Sequence, residues 1–428
     1  MTVVRPFRGC RFNSDVVGDA GSVLCPPYDM IGPDLKKSLE ELSPYNAVHL
    51  EGGEQPDPIN PEAGYRQAAS LFRNWLDESV LQRDQEPSFY LMRHVYQIRG
   101  EKKSQMGLFC GVQVEDYDGR IVLPHEFTRE PAVLDRVALL EFCQAQFSPI
   151  MTLYRDAEGA LKPVYDQIIA QEPVMDVQDT PDGDVTLWKV TSGDLQERIS
   201  RFFVDRPVFL GDGHHRYEAA LRYRREQKSG SSAESAYNYV MMALVEFDDS
   251  GLLLLPYHRT IQGLSASQLA DARDSLDELF EIQPVNPDAE GGVERVLEHV
   301  AFLGKDGHAM AMLGPGKDEA YLLMLRPGID WRQWGDLAVS EAWILEEKIL
   351  RPLLGENINQ YVNYTHDHDL AVEQVKLGEQ QLAFLLKPFP MDAFESIVGG
   401  GQRLPSKSTF FYPKLPTGLV INQLEGNL

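Results

Sequence analysis

Between Leu210 and Tyr217 the chain reads Gly211-Asp212-Gly213-His214-His215-Arg216, two glycines around a carboxylate, then two imidazoles and a guanidinium. Glycine lets a backbone take positive φ and approach a ligand closely. A helix starting here would aim its first amides and the positive end of its dipole at the same spot. The combination predicts a seat for an anion, with Arg216 able to grip two phosphate oxygens and the histidines adding donors. A plainer reading makes this a tight turn in which Asp212 caps the helix. Capping accounts for the aspartate but not for the His-His-Arg that follows.

Three other segments hold reactive residue types. Leu123-Pro124-His125-Glu126 sets an imidazole beside a carboxylate at the end of an apolar run, a source of a general base or a metal ligand. Against that stands a solvated strand end, because strand neighbours face opposite ways. Tyr364-Thr365-His366-Asp367-His368-Asp369 offers ligands at alternate positions, or simply a helix start capped by Asp367 or Asp369. Pro405-Ser406-Lys407-Ser408-Thr409 follows Gly399-Gly400-Gly401 and brings an ammonium and hydroxyls suited to phosphate, although it lacks Walker spacing and runs into an ordinary strand, Phe410-Phe411-Tyr412.

These residues need elements to hold them. Pro207 to Leu210 reads as a strand feeding the glycine turn, with a helix from Tyr217 to about Lys228 and a flexible Ser229-Gly230-Ser231-Ser232 after it. Upstream, Pro26-Pro27-Tyr28-Asp29 reads as a rigid loop presenting an aromatic and a carboxylate. A Pro/Asp-rich loop from Gln55 to Pro61 precedes a helix whose face carries Tyr65, Ala68, Ala69, Phe72, Trp75 and Leu76. Phe89 to Ile98 and Gln105 to Val114 flank the polar turn Arg99 to Lys103 as an antiparallel hairpin. A helix follows over about Val133 to Ala145, then an extended run from Ile150 to Tyr154. Tyr239 to Phe247 and Leu252 to Pro256 read as a second hairpin. Farther on come a capping box at Ser265 to Gln268, a helix over Val293 to Val300, strands His308 to Leu313 and Glu319 to Leu325 about a turn at 314–318, and a helix through Ala342, Leu345, Ile349 and Leu353 that ends at Gly355.

The pattern predicts an α/β (α+β) protein with mixed, largely antiparallel sheets and packed helices. At 428 residues the chain exceeds one ordinary core. The motifs divide it into an N-terminal part over 1–150, a central part over 151–262 with the glycine turn, and a C-terminal part over 263–428. With 40 basic and 65 acidic residues the formal net charge is -25, which disfavours duplex nucleic acid as a partner. Arg216, Arg222, Arg224 and Arg225 stand out from that acidic background. Cys10, Cys25, Cys110 and Cys143 form no C-x-x-C pair, so reduced thiols are expected. No signal core or membrane-length apolar run is seen, which places the chain in the cytoplasm.

Pro26-Pro27-Tyr28-Asp29, Leu123 to Glu126, Asp135-Arg136, Gly211 to Ala220, Leu255-Pro256-Tyr257-His258-Arg259 and Lys407 to Leu415 occur in this order, and nearly the whole chain resembles the uncharacterised domain of unknown function 1015. That family lends no activity. More narrowly, Asp212 to Arg216 with its alanine-containing helix resembles the phosphate-binding box of the ParB and sulfiredoxin superfamily, which includes nucleotide-dependent free-serine kinases. This resemblance implies a strand-turn-helix core of that type, phosphate contact for His215 and Arg216, and a catalytic or metal role for Asp212. Glu126 is a candidate for those kinases' catalytic glutamate; a ParB DNA-binding part is not evident.

The expected function is thus a nucleotide-dependent small-molecule kinase acting on free serine or a similar hydroxylated metabolite, with ATP or ADP and Mg2+. Asp212, His214, His215, Arg216 and Glu126 would carry catalysis, while Gly211, Gly213, Tyr217, Lys407, Ser408 and Thr409 would hold the cofactor. A nucleotide-sensing module without turnover and a metal-dependent phosphohydrolase using His125, Glu126, His214 and His215 are the alternatives.

Overall fold

A computed structural model of the chain describes every residue except 52–59, 179, 228–231, 287–291, 306, 317–318 and 406. Lys228, the tract 229–231, most of the loop from Gln55 and the turn residues 317–318, all assigned from sequence, lie outside the described residues, as does Ser406. Two compact units result: Met1–Leu253 with Pro413–Leu428, and Leu254–Tyr412.

The first unit contains, in chain order, β1 (Val4–Arg5), β2 (Gly9–Phe12), β3 (Leu81–Arg83), β4 (Phe89–Ile98), β5 (Glu101–Gln113) and β6 (Val122–Leu123). After these come β7 (Ala145–Gln146), β8 (Ile150–Tyr154), β9 (Met175–Val177), β10 (Asp184–Val190), β11 (Val208–Leu210) and β12 (Tyr239–Glu246). Among the described residues a nine-stranded sheet runs β6-β11-β8-β12-β5-β4-β10-β9 with β1 on β5, and β3, β2, Ile421–Gln423 and β7 make a four-stranded one. The β6/β11 and β8/β12 pairs are parallel and the rest antiparallel, giving the mixed, largely antiparallel α/β fold that the patterning predicts. Strands from 1–150 and from 151–262 are intermixed within this one sheet.

The first hairpin is tighter than its polar stretch suggests. Ile98 faces Glu101, and only Arg99 (φ 50°) and Gly100 (φ 77°) turn the chain. Two positive φ values in succession give the turn whose twist matches paired strands, so Glu101 to Lys103 become strand rather than loop. The second expected hairpin does not form. β5 and β8 occupy both edges of β12, which leaves no free edge for the residues after Leu252.

Helix His214–Glu226 is packed on two sides. Tyr217, Ala220 and Leu221, spaced three and four apart, join Val208 and Leu210 in the sheet's core. Ala219 and Tyr223 meet Val133, Val137 and Leu140 of helix Glu130–Cys143. That helix begins before Val133 because Pro131 suits a first turn, where no amide bond is lost. Helix Ala63–Asp77 buries Ala68, Ala69, Phe72 and Trp75 of the predicted stripe, with Tyr65 and Leu76 half-buried beside them. All four cysteines are buried and free.

Among the described residues the second unit holds a six-stranded antiparallel sheet in the order Phe280–Val285, Ala320–Leu325, Ala309–Leu313, Leu382–Leu385, His258–Ile261, Val362–Thr365. Helix Ala266–Leu279 opens with the Ser265/Gln268 capping box, and helix Gly292–Leu303 covers the predicted 293–300 span. The expected helix through Ala342 and Leu353 instead changes pitch, with a wider π-type turn at Leu345–Leu350 between Glu341–Ile344 and Arg351–Leu354. Asp367 caps helix His368–Lys376 by accepting the amides of Asp369 and Leu370, the capping alternative for that segment. No described helix is long and apolar enough to cross a membrane.

Tyr217 is wholly buried, and its hydroxyl accepts the Glu115 amide at 3.0 Å while donating to the Glu115 carbonyl at 2.7 Å. Tyr217→Phe leaves both backbone groups short of a partner and should cost about 1–2 kcal/mol in urea unfolding. A midpoint equal to wild type would show that the bridge contributes nothing.

Candidate functional site

The turn after β11 is pinned to β8, because the amides of Gly211 and Asp212 both donate to the Met151 carbonyl, at 2.9 and 3.1 Å. Gly213 then takes φ +91°, and a β-carbon there would stand 2.9 Å from Arg216 Nε. Only glycine combines that backbone with so close an approach by Arg216. The first helical bond is Tyr217 N–H to the Gly213 carbonyl, so the amides of His214, His215 and Arg216 belong to the first turn, which has no acceptor within the helix.

Asp212 is not the helix cap. Gly213 holds that position without any side-chain bond to the helix. The Asp212 carboxylate instead accepts Arg216 Nη2 at 2.7 Å and Lys414 Nζ at 2.8 Å. Burial pushes this carboxyl up, but Lys414, Arg216 and His214 outweigh burial and hold it well below the usual carboxylate range. Arg216 Nη1 donates to the Pro149 carbonyl at 2.5 Å, so both ends of the guanidinium are engaged inside the protein.

The imidazoles are oriented by backbone groups. His125 Nδ1 lies 2.6 Å from the Leu210 carbonyl, which places a proton on Nδ1 and the lone pair on Nε2. Burial lowers the His125 pKa despite the nearby Glu126 carboxylate. His214 Nε2 accepts the His125 amide at 3.2 Å, with the two rings edge-on at 4.4 Å. His215 Nε2 accepts the Arg129 amide at 3.1 Å. One donor atom from each of His125, Glu126 and His214 falls within 4.8 Å of the others, a spacing that can hold a divalent cation. The carbonyl behind His125 supplies the kind of outer contact that orients a ligating imidazole. His125 and Glu126 lie beyond the end of β6, so strand alternation does not separate them.

A second polar cluster lies under the helices. The Arg136 guanidinium sits 4.0 Å from the centre of the Tyr28 ring. It donates through Nη1 to Glu51 Oε2 at 2.9 Å, through Nη2 to the Glu51 carbonyl at 3.1 Å, and through Nε to Asp135 at 2.7 Å. Burial pushes the Tyr28 hydroxyl up to about 12, against the pull of Arg136 and Arg216.

Gly211, Asp212, Gly213, His214, His215, Arg216 and Glu126 therefore share the first unit and meet around one turn, whereas Tyr217 faces the core. Lys407, Ser408 and Thr409 belong to the second unit. There the Ser408 hydroxyl donates to the Pro405 carbonyl at 2.7 Å, and Lys407 lies 5.0 Å from the centre of the Tyr257 ring. Two of the three other arginines of the glycine-turn helix are neutralised: Arg222 forks onto Glu130 and Arg225 pairs with Asp116. Sequence reasoning passed over Lys414, Arg136, Glu51 and Tyr28 as site residues. Lys414 stands 202 positions from Asp212, and no local pattern joins the two. Tyr28, Arg136 and Lys414 do fall inside the segments that carry the family resemblance, which was the available signal.

A family model described as "Protein of unknown function (DUF1015)" matches residues 4–345. No curated protein matches the chain. Among solved structures, a conserved hypothetical protein from Pyrococcus furiosus is similar at 14% identity and TM-score 0.35, over 75% of this chain and 97% of that one. A free serine kinase in complex with AMP is similar at 14% identity and TM-score 0.35, over 71% and 86%. SbnI from Staphylococcus aureus, truncated at its C-terminus, is similar at 12% identity and TM-score 0.37, over 74% and 87%. At these identities and scores the likenesses decide neither topology nor activity.

Lys414 and Arg216 hold the Asp212 carboxyl below its ordinary 3.8, so its stabilising effect is complete above pH 3.8 and is lost as the pH falls through the folded-state value. On acidification below about pH 4, wild type should therefore lose more unfolding free energy than Asp212→Asn. Urea titrations at several pH values measure this, and parallel acid limbs would contradict the ion-paired carboxylate.

Proposed function

The chain belongs to the DUF1015 family of proteins of unknown function, and since that membership names no reaction we propose one from the site: nucleotide-dependent transfer of a phosphoryl group to a small hydroxylated metabolite at the Gly211 turn. The observation that carries this reading is the junction itself. Three first-turn amides, from His214, His215 and Arg216, follow a left-handed Gly213, and the cations of Lys414 and Arg216 are gathered at the same turn by Asp212. Phosphoryl transfer asks a protein for positioned positive charge more than for covalent chemistry. The resemblance of Asp212 to Arg216 to the phosphate-binding box of the ParB and sulfiredoxin superfamily points the same way.

Roles follow from the electrostatics. A carboxylate held strongly ionised is a poor proton acceptor, so Asp212 organises Arg216 and Lys414, and general base work falls to Glu126. His215 accepts the Arg129 amide at Nε2, which puts its proton on Nδ1 and fixes the ring beside the turn. ATP or ADP would bring Mg2+, which prefers oxygen ligands, and carboxylates at the turn are the side chains suited to it. The His125, Glu126 and His214 trio suits a different ion, because two imidazoles and one carboxylate favour zinc or a similar transition metal. That grouping is the specific observation behind a second reading, metal-dependent phosphate ester hydrolysis.

The test starts with thermal shifts over a nucleotide panel with and without Mg2+, then mass detection of phosphorylated products from hydroxylated metabolites. Glu126→Gln should lower turnover by about 10²–10⁴-fold with little change in nucleotide affinity. Nucleotide binding with no product from any acceptor would replace the transferase by a sensor. Tightly retained metal with phosphate release in the absence of an acceptor would replace it by a hydrolase.

A further inference from the structure

Two helices of the second unit bring their first turns together. Val293, Val296 and Val300 of helix Gly292–Leu303 share one apolar cluster with Ala371, Val372 and Val375 of helix His368–Lys376, over strands Ala309–Leu313 and Leu382–Leu385. Glu294 stands in the first turn of one helix, and His368 and Asp369 open the other. Capping uses the Asp367 carboxylate and leaves these three side chains for other work. Their spacing is not that of hydrogen bonding. His368 Nε2 lies 3.6 Å from Asp369 Oδ1 and 4.0 Å from Glu294 Oε1, too far for an imidazole to bond a carboxylate. That nitrogen is buried and has no hydrogen-bond partner among the described residues, and the His368 side chain is 15% exposed. Folded proteins leave few such atoms unmatched. The His258 ring stands edge-on to that of His368, with centroids 6.2 Å apart.

We infer that Glu294, His368 and Asp369 form a binding site for a divalent transition-metal ion of the zinc type. One donor atom from each of the three falls within 4.8 Å of the others. Ligand atoms bound at about 2.0–2.2 Å to a four-coordinate ion stand about 3.3–3.6 Å apart, so a small inward movement of two exposed carboxylates completes the geometry. The donor set selects the class. Magnesium and calcium take oxygen ligands, which leaves the imidazole without a role. One imidazole with two carboxylates suits zinc, and the ion gives the buried His368 nitrogen the partner it lacks. Three protein ligands leave a fourth position to water, and the ion ties the two helix starts together. The positive ends of both helices oppose a cation, so binding is weaker than at a closed four-ligand site. This trio belongs to the second unit and that of His125, Glu126 and His214 to the first, so the inference stands or falls apart from the phosphoryl-transfer reading.

Equilibrium dialysis of the chelator-stripped full chain against zinc, with bound metal counted per chain, tests the assignment. Wild type should bind an equivalent that Glu294→Gln, Asp369→Asn and His368→Gln each weaken by about tenfold or more, since even the outer contacts of a metal site are worth that much. Glu126→Gln should leave this equivalent intact, which separates it from any ion held at the glycine turn. Magnesium at the same concentration should not displace it. The Glu294 and Asp369 side chains are 61% and 74% exposed, so their substitution does not threaten the fold, and they decide the matter if His368→Gln is unstable. No bound zinc, zinc binding unchanged in either carboxylate variant, its loss in Glu126→Gln instead, or its displacement by equal magnesium would each overturn the site.

Discussion

The first unit turns on one carboxylate. Asp212 sits where a strand meets a helix, mostly withdrawn from water, and an ionised group there has to be compensated. Arg216 folds back from the first helical turn to reach it, and Lys414 arrives from the far end of the chain. This demand explains residues that otherwise look arbitrary. Gly213 leaves room for the guanidinium, the Pro149 carbonyl takes the other side of Arg216, and the segment after Pro413 returns to the first unit instead of ending with the second.

Around that ion cluster the sheet and helices supply stiffness. Helix His214–Glu226 cannot rock easily, because Tyr217, Ala220 and Leu221 are seated in the sheet while Ala219 and Tyr223 lock into helix Glu130–Cys143. The backbone carbonyl of Leu210 and the amides of His125 and Arg129 then fix three imidazoles. Polar chemistry here is positioned by main-chain groups, which move less than side chains do. That is the arrangement expected of a site whose work is electrostatic.

Much of this was legible in the residues. Short-range rules placed the glycine turn, the capping box at Ser265, the stripe of helix Ala63–Asp77 and most strands, because each depends on neighbours within a few positions. What failed was long-range. The second hairpin looked sound locally and was lost to competition from β5 and β8 for the edges of β12, which no local pattern records. Tyr217 was expected at a cofactor because it adjoins the His-His-Arg run, yet helical geometry turns it toward the sheet. Asp212 reads locally as a cap or as a catalytic or metal-binding group; Gly213 takes the cap position instead, and the ion pair with Lys414 lies outside any local pattern.

The interruption of the first unit by the second has a bearing on how the protein comes into being. A ribosome delivers Asp212 and Arg216 early, then makes all of Leu254–Tyr412 before Lys414 emerges. Throughout that interval the nascent chain carries a turn with one of its two counterions missing, and strand Ile421–Gln423 is not yet in place between β2 and β7. The turn therefore reaches its finished state only after the whole of the second unit has been made, so its maturation is timed by translation itself.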